Sequence, residues 1–164
     1  WQQLHNEAQI AESNSDWSSA ESVYRRLVKA EADGWVEHST YNRSQFNLAN
    51  ALAKQNKLAE AEKEYLVGIA NVEWQEGLQS PFLVSPFFEL AQVYKNQKRY
   101  DEAIKTFGRA VEISDKAPVA ASTTIGLYES FSKTLNQAGR TQEAENFADR
   151  ALKLRKEIES PATN

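Results

Sequence analysis

The sequence has no cysteine and no methionine, and its 164 residues include only four prolines, six glycines and two histidines. Without Cys there is no disulfide, no thiolate metal site and no cysteine nucleophile, and the redox compartment stays open. His5 and His38 stand far apart, so neither belongs to a ligand pair, and each reads as a solvated helix histidine. There is no G-x-S-x-G elbow, no S-x-x-K box and no phosphate-cradling glycine loop. Glu60, Glu62 and Glu64 alternate along one helix and do not face each other as an acid and base pair. No apolar run approaches the roughly 18 residues of a membrane-spanning helix, and no signal peptide is present. A basic surplus is missing as well: the net charge is -4 and the isoelectric point about 5.3, which argues against a nucleic-acid partner. The expectation is a soluble chain that is not an enzyme, with no cofactor, no metal and no direct membrane insertion. It begins at Trp1 without a Met. We therefore expect a processed or excised piece, cytoplasmic or bacterial periplasmic, whose targeting segment is absent.

What the chain does have is an internal period. A shift of 42 places FNLANALAKQNKLAEAEKEYLVGI (46–69) on FELAQVYKNQKRYDEAIKTFGRAV (88–111), matching Phe46 to Phe88, Leu48 to Leu90, Ala49 to Ala91, Ala61 to Ala103 and Tyr65 to Phe107. A shift of 41 carries Ala49 back to Ala8, Ala61 to Ala20 and Tyr65 to Tyr24, and carries Ala103 forward to Ala144 and Ala110 to Ala151. Four copies follow, approximately 1–34, 35–77, 78–117 and 118–158, in a single array with 159–164 as a frayed tail. Each copy holds two helix-period patterns around a polar break, and no segment alternates with the period of a strand. The helices are expected at roughly 1–13, 16–33, 36–55, 58–76, 82–97, 100–115, 118–138 and 141–158. Gly139, Asn14, Asn56 and Asn96 suit left-handed helix ends, Asp16 and Thr141 suit N-caps, and Asp101 and Glu102 suit a helix first turn. Pro86 would break a helix begun at Pro81, so the fifth helix either starts late, with Ser85 as N-cap, or kinks.

Small and aromatic residues at these spacings resemble the tetratricopeptide repeat. The third copy supplies Ala91, Tyr94, Tyr100, Ala103, Phe107 and Ala110, and the second Ala49, Leu52, Leu58, Ala61, Tyr65 and Gly68. The first keeps Ala8, Ala20 and Tyr24 with Leu27 at the last small position; the fourth has Ser132, Leu135, Ala144, Ala148 and Ala151, with Ala148 where an aromatic is expected. The usual period is about 34 residues, and the longer one here is similar to the kinesin light chain type of repeat. The resemblance implies an all-α, right-handed α-solenoid of about four antiparallel helix pairs, acting as a protein-interaction scaffold.

Carried onto this sequence, the family's register lines a concave groove with the first helix of each pair. Those positions are Gln2, His5, Gln9 and Glu12; Arg43, Phe46, Asn50, Ala53 and Lys54; Ser85, Phe88, Gln92, Lys95 and Asn96; and Gly126, Glu129, Lys133, Asn136 and Gln137. The peptide-binding residues expected among them are Arg43, Phe46, Asn50, Lys54, Phe88, Gln92, Lys95, Asn96, Lys133 and Asn136. Amides can bond a peptide backbone as donor and acceptor. Phe46 and Phe88 either take an apolar anchor or pack between repeats. Trp1, Trp17, Trp35 and Trp74 read as core or helix-junction residues. A co-chaperone carboxylate clamp does not fit, because Phe46 and Glu89 stand where its cations belong. Self-association, as a spacer in a larger chain, is the alternative to groove binding.

Overall fold

Four helix ends close in the same way, and this repetition organises the fold. In the computed structural model the backbone N–H groups of Asp16, Lys57, Arg99 and Arg140 donate to the carbonyls of Ala11, Leu52, Tyr94 and Leu135 at 2.8–3.0 Å. The preceding residues, Ser15, Asn56, Lys98 and Gly139, sit in the left-handed region with φ of 54°, 61°, 61° and 78°. This pair of features defines a Schellman closure. Four residues into each following helix, Ala20, Ala61, Ala103 and Ala144 donate to the carbonyls of Asp16, Lys57, Arg99 and Arg140, each at 3.0 Å. All four of these alanines are 0% exposed. A side chain no larger than a methyl lets the second helix lie close against the first.

The structure describes residues 2–33, 38–117 and 119–159, except for the side chains of 38–41. Trp1, Trp35, Pro118, the start of the expected third helix and the tail beyond 159 lie outside the described residues, as does the His38 side chain. The described residues form eight α-helices: α1 (Gln2–Ser13), α2 (Trp17–Ala32), α3 (His38–Lys54), α4 (Leu58–Glu76), α5 (Val84–Asn96), α6 (Tyr100–Ser114), α7 (Ala121–Gln137) and α8 (Thr141–Glu159), with a 3-10 turn at Pro81–Leu83. No strand occurs among the described residues. The chain divides into two compact units, Trp1–Gly77 and Leu78–Asn164. In the first, α1 pairs with α2 and α3 with α4, and α2 packs on α3; in the second, α5 pairs with α6 and α7 with α8, and α6 packs on α7. This is an all-α, tetratricopeptide-like solenoid architecture.

Several local expectations need correcting. The left-handed residues of the first and third copies are Ser15 and Lys98, not Asn14 and Asn96, because the Schellman geometry fixes the position irrespective of residue preference. Thr141 is the first residue of α8 and not its cap, whereas Asp16 does cap α2, accepting from Ser19 N at 3.1 Å. Ser85 is inside α5. The cap is Ser80, whose Oγ accepts from Phe82 N at 3.3 Å, and Pro81 opens the 3-10 turn. Pro86 then falls in the first turn of α5, where backbone N–H groups lack helical acceptors in any case. Trp74 is 86% exposed, because Ala61, Tyr65, Ile69 and Val72 define the buried stripe of α4 and Trp74 projects from the opposite side. Trp17 is half-buried at the start of α2, with the Lys54 ammonium 6.0 Å from its ring centroid.

Candidate functional site

Within the second unit, α5 and α7 enclose a cleft of about 260 Å³ lined by Val84, Ser85, Phe88, Glu89, Ser122, Thr123, Gly126 and Leu127. Three expected inner-wall residues, Ser85, Phe88 and Gly126, are thereby brought together. Phe88 is half-buried, its ring edge-on to Phe107 with centroids 5.8 Å apart, so one side rests on the scaffold and another borders the cleft. Ser122 and Thr123 add hydroxyls that the sequence reading missed. The only signal for them was their place one turn ahead of Gly126.

The wall continues toward Lys95 of α5 and Lys133 of α7. Burial first, and the Lys133 charge second, hold the Lys95 ammonium below the usual lysine range. No carboxylate among the described residues offsets either effect at Lys95. Glu129, one turn before Lys133, is engaged instead by Arg155 of α8 at 2.5 Å. A groove of about 640 Å³ between α7 and α8 collects Glu129, Lys133, Asn136 and Gln137, with Ala148, Leu152 and Arg155 on its far side. Gln92 is half-buried and Asn96 exposed on α5.

The unit is braced behind this wall. Phe131 lies 4.5 Å from Phe147 and 5.6 Å from Phe107, so Phe147 fills the aromatic space that Ala148 leaves empty. The Arg150 guanidinium sits 4.3 Å over the Tyr128 ring and bonds both oxygens of Asp115 at 2.7 and 2.8 Å. Burial, with the hydrogen bond to Asp115, pushes the Tyr128 hydroxyl up to about 12.

In the first unit the expected wall residues lie on α1 and α3. Phe46 is half-buried over Tyr65, 6.5 Å between centroids, and covers Gly68 so closely that a Cβ there would come 2.5 Å from Phe46 Cε1. Tyr65 donates its hydroxyl to Asn50 Oδ1, so this amide is already engaged by the scaffold. Arg43 and Lys54 are exposed. Burial first, then a hydrogen bond to Glu12, raises the Tyr24 hydroxyl above its ordinary range. Tyrosine at the repeat's aromatic position thus sends a polar tip to the wall in both copies, which a reading of the position as merely aromatic overlooks. Among the described residues, no group of three or more His, Asp or Glu is placed to hold a metal ion, and no helix is long and apolar enough to cross a membrane.

Two family models described as Tetratricopeptide repeat match residues 84–157 and 5–72. No curated protein sequence matches the chain. Among solved structures, BtubC (BKLC) from P. vanneervenii aligns with a TM-score of 0.88 at 21% identity, over 96% of this chain and 63% of that one. This chain therefore spans under two thirds of that protein's length. A kinesin-light-chain-type protein from Podosopora anserina with nearly identical TPR-like repeats aligns at 0.80 and 18% identity, over 99% of this chain and 76% of that one. MamA from Desulfovibrio magneticus aligns at 0.69 and 12% identity, over 93% and 74%. At these identities the neighbours establish a shared fold, while the two family models, one on each half of the chain, establish kinship. The chain belongs to the tetratricopeptide repeat family.

Proposed function

We propose that this chain is a non-enzymatic protein-interaction scaffold, and that the inner wall of its second unit holds an extended or helical segment of a partner protein. The observation that carries this reading is the Lys95 ammonium, half-buried and facing the charge of Lys133 without a carboxylate to offset it. Such a pair lacks what a ligand carboxylate would provide. Binding one would relieve both the desolvation and the repulsion, so affinity comes from completing an arrangement already in place. The Phe88 cleft between α5 and α7 accepts an apolar anchor from the same segment, and Gln92, Asn96 and Asn136 bond its backbone. In the first unit, taken by itself, Arg43, Phe46, Asn50 and Lys54 present a surface of the same kind, with Asn50 already partly committed to Tyr65.

Selection from a displayed random-peptide library tests the reading without a known partner. Enriched peptides are expected to combine Asp or Glu with one large apolar residue. Lys95→Glu with Lys133→Glu should weaken them at least about tenfold, as expected for loss of a charge-assisted contact. Binding unchanged by the double reversal sinks this placement of the site.

A further inference from the structure

The repeat does not call for a cation at Lys95 or at Lys133. At the position of Lys95 the other copies carry Glu12, Ala53 and Asn136, and at that of Lys133 they carry Gln9, Asn50 and Gln92. The two lysines are therefore added to the scaffold and not required by it. Phe88 of α5 and Gly126 of α7 border one cleft. Lys95 and Lys133 each stand seven residues beyond one of these two, which sets the ammoniums beside each other on the wall, close enough for the charge of one to act on the other. Gln92 lies one turn before Lys95, and Asn136 one turn after Lys133. The carboxylates nearby serve elsewhere: Arg155 holds Glu129 at 2.5 Å, and Glu89 borders the cleft.

We propose that the partner segment held on this wall is phosphorylated, and that Lys95 and Lys133, flanked by Gln92 and Asn136, receive its phosphate. The proposal rests on the groove reading and names what the bound segment carries. Charge decides the ligand class. A carboxylate brings one negative charge to two ammoniums and leaves a positive surplus on the wall. A phosphate monoester brings about −1.5 to −2 at pH 7 with three acceptor oxygens, which matches two ammoniums and two amide NH2 groups. It offsets the repulsion between Lys95 and Lys133 in full, where Asp or Glu offsets only part of it. The cleft and the lysines also set a spacing. Seven residues of helix rise about 10.5 Å, and a polyproline-II segment covers about 9 Å in three residues, which returns its side chain to the same face. An apolar anchor in the Phe88 cleft thus stands three residues from the phosphorylated one. The segment is extended and not helical, because Gln92 and Asn136 then use their carbonyls on backbone N–H groups that a helix would keep for itself.

An acidic peptide from the library selection is synthesised with its Asp or Glu retained, replaced by serine, or replaced by phosphoserine. Fluorescence anisotropy with the full chain should show the phosphoserine peptide binding at least about tenfold tighter than the acidic one, with serine weakest. Lys95→Gln and Lys133→Gln should each bring the phosphoserine and acidic peptides to nearly equal affinity, since a single cation is satisfied by either. Lys105→Gln, exposed on α6, should keep the ratio. Inorganic phosphate at the peptide's concentration should not displace the phosphoserine peptide, because it brings no apolar anchor; displacement would make this a free-anion site and overturn the proposal. An acidic peptide that binds as tightly as its phosphoserine counterpart would also overturn it and leave the groove reading in place. So would a phosphoserine advantage that survives both lysine substitutions, or a shift of the phosphoserine by one residue, because the phosphate would then be held elsewhere. If no peptide responds to Lys95→Glu with Lys133→Glu, the groove reading fails and this proposal fails with it.

Discussion

Replacing Glu31 with Gln should stabilise the protein at alkaline pH and leave it nearly unchanged in mild acid. Glu31 sits at the end of α2 with 6% of its surface exposed. One carboxyl oxygen accepts from Ser44 Oγ at 2.6 Å, and the other, Oε2, has no hydrogen-bond partner among the described residues. Burial raises the group from 4.5 to about 7, and the Ser44 bond only partly opposes this. Because the folded state binds the proton more tightly than the unfolded chain, the favourable contribution is complete below about 4.5 and is lost as pH rises through 7. Above that, folding carries a penalty of about 3 kcal/mol, from roughly 1.4 kcal/mol per pKa unit. The Gln side chain keeps an acceptor for Ser44 and never ionises. Urea unfolding of both proteins at about pH 4 and about pH 8.5 should give a difference near zero at the first and approaching 3 kcal/mol at the second. The same difference at both pH values would refute the reasoning, because Glu31 would then not change charge between them. Glu21, on the same helix, provides the opposite case. Burial pushes it up, but hydrogen bonds from Lys57, Arg25 and Gln55 outweigh that and bring it down to about 2, so its contribution persists at neutral pH and is lost as pH falls through that value.

Other substitutions test the backbone and the packing. Lys98→Gly should raise stability by about 1 kcal/mol, because a side chain at φ 61° carries a penalty that Gly does not; thermal unfolding should move up by roughly 2–4 °C. Gly108→Ala in α6 should also stabilise by about 1 kcal/mol, since the added methyl meets nothing within 4 Å. Gly68→Ala has the same gain in helix propensity but drives a Cβ to 2.5 Å from Phe46 Cε1, so overpacking of about 1–3 kcal/mol should reverse the sign. Denaturant midpoints of the two Ala variants would settle this, and a stabilised Gly68→Ala would show that the Phe46 ring yields freely.

The helix pairs were legible because their signal is redundant. A small residue buried in every second helix and a common period of 41–42 residues point to the same boundaries, and the observed ends agree to within a few residues. The errors came from judging positions by residue preference when the period already held the answer. Counting 41 back from Asn56 gives Ser15, and 42 forward gives Lys98. Preference favoured the neighbouring asparagines, but the five-residue span of the Schellman bond is set by backbone geometry and tolerates an unfavourable residue for about 1 kcal/mol. Pro86 was misread for a related reason. One 3-10 turn, capped by Ser80, lets the chain carry two prolines into a helix, and pattern reading that knows only the α-helix has no place for it.

The wall residues were harder to read, because their surroundings depend on side chains far away in sequence. Lys95 looks like any surface lysine until α7 brings Lys133 beside it, and Glu129 looks like a counter-charge until Arg155 takes it. Phe46 and Phe88 seemed to require a choice between groove and core. Each instead lies with one side on the aromatic residue of its own pair, Tyr65 or Phe107, and remains half-exposed on the other. The repeat explains this double placement. Its aromatic position in the second helix supports whatever the first helix presents one layer above, so a wall aromatic is held in orientation before any ligand arrives. Preorganisation of this kind lowers the entropy lost on binding. It also predicts how the wall can be altered: truncating Phe107 should impair the Phe88 cleft without removing any residue that borders it.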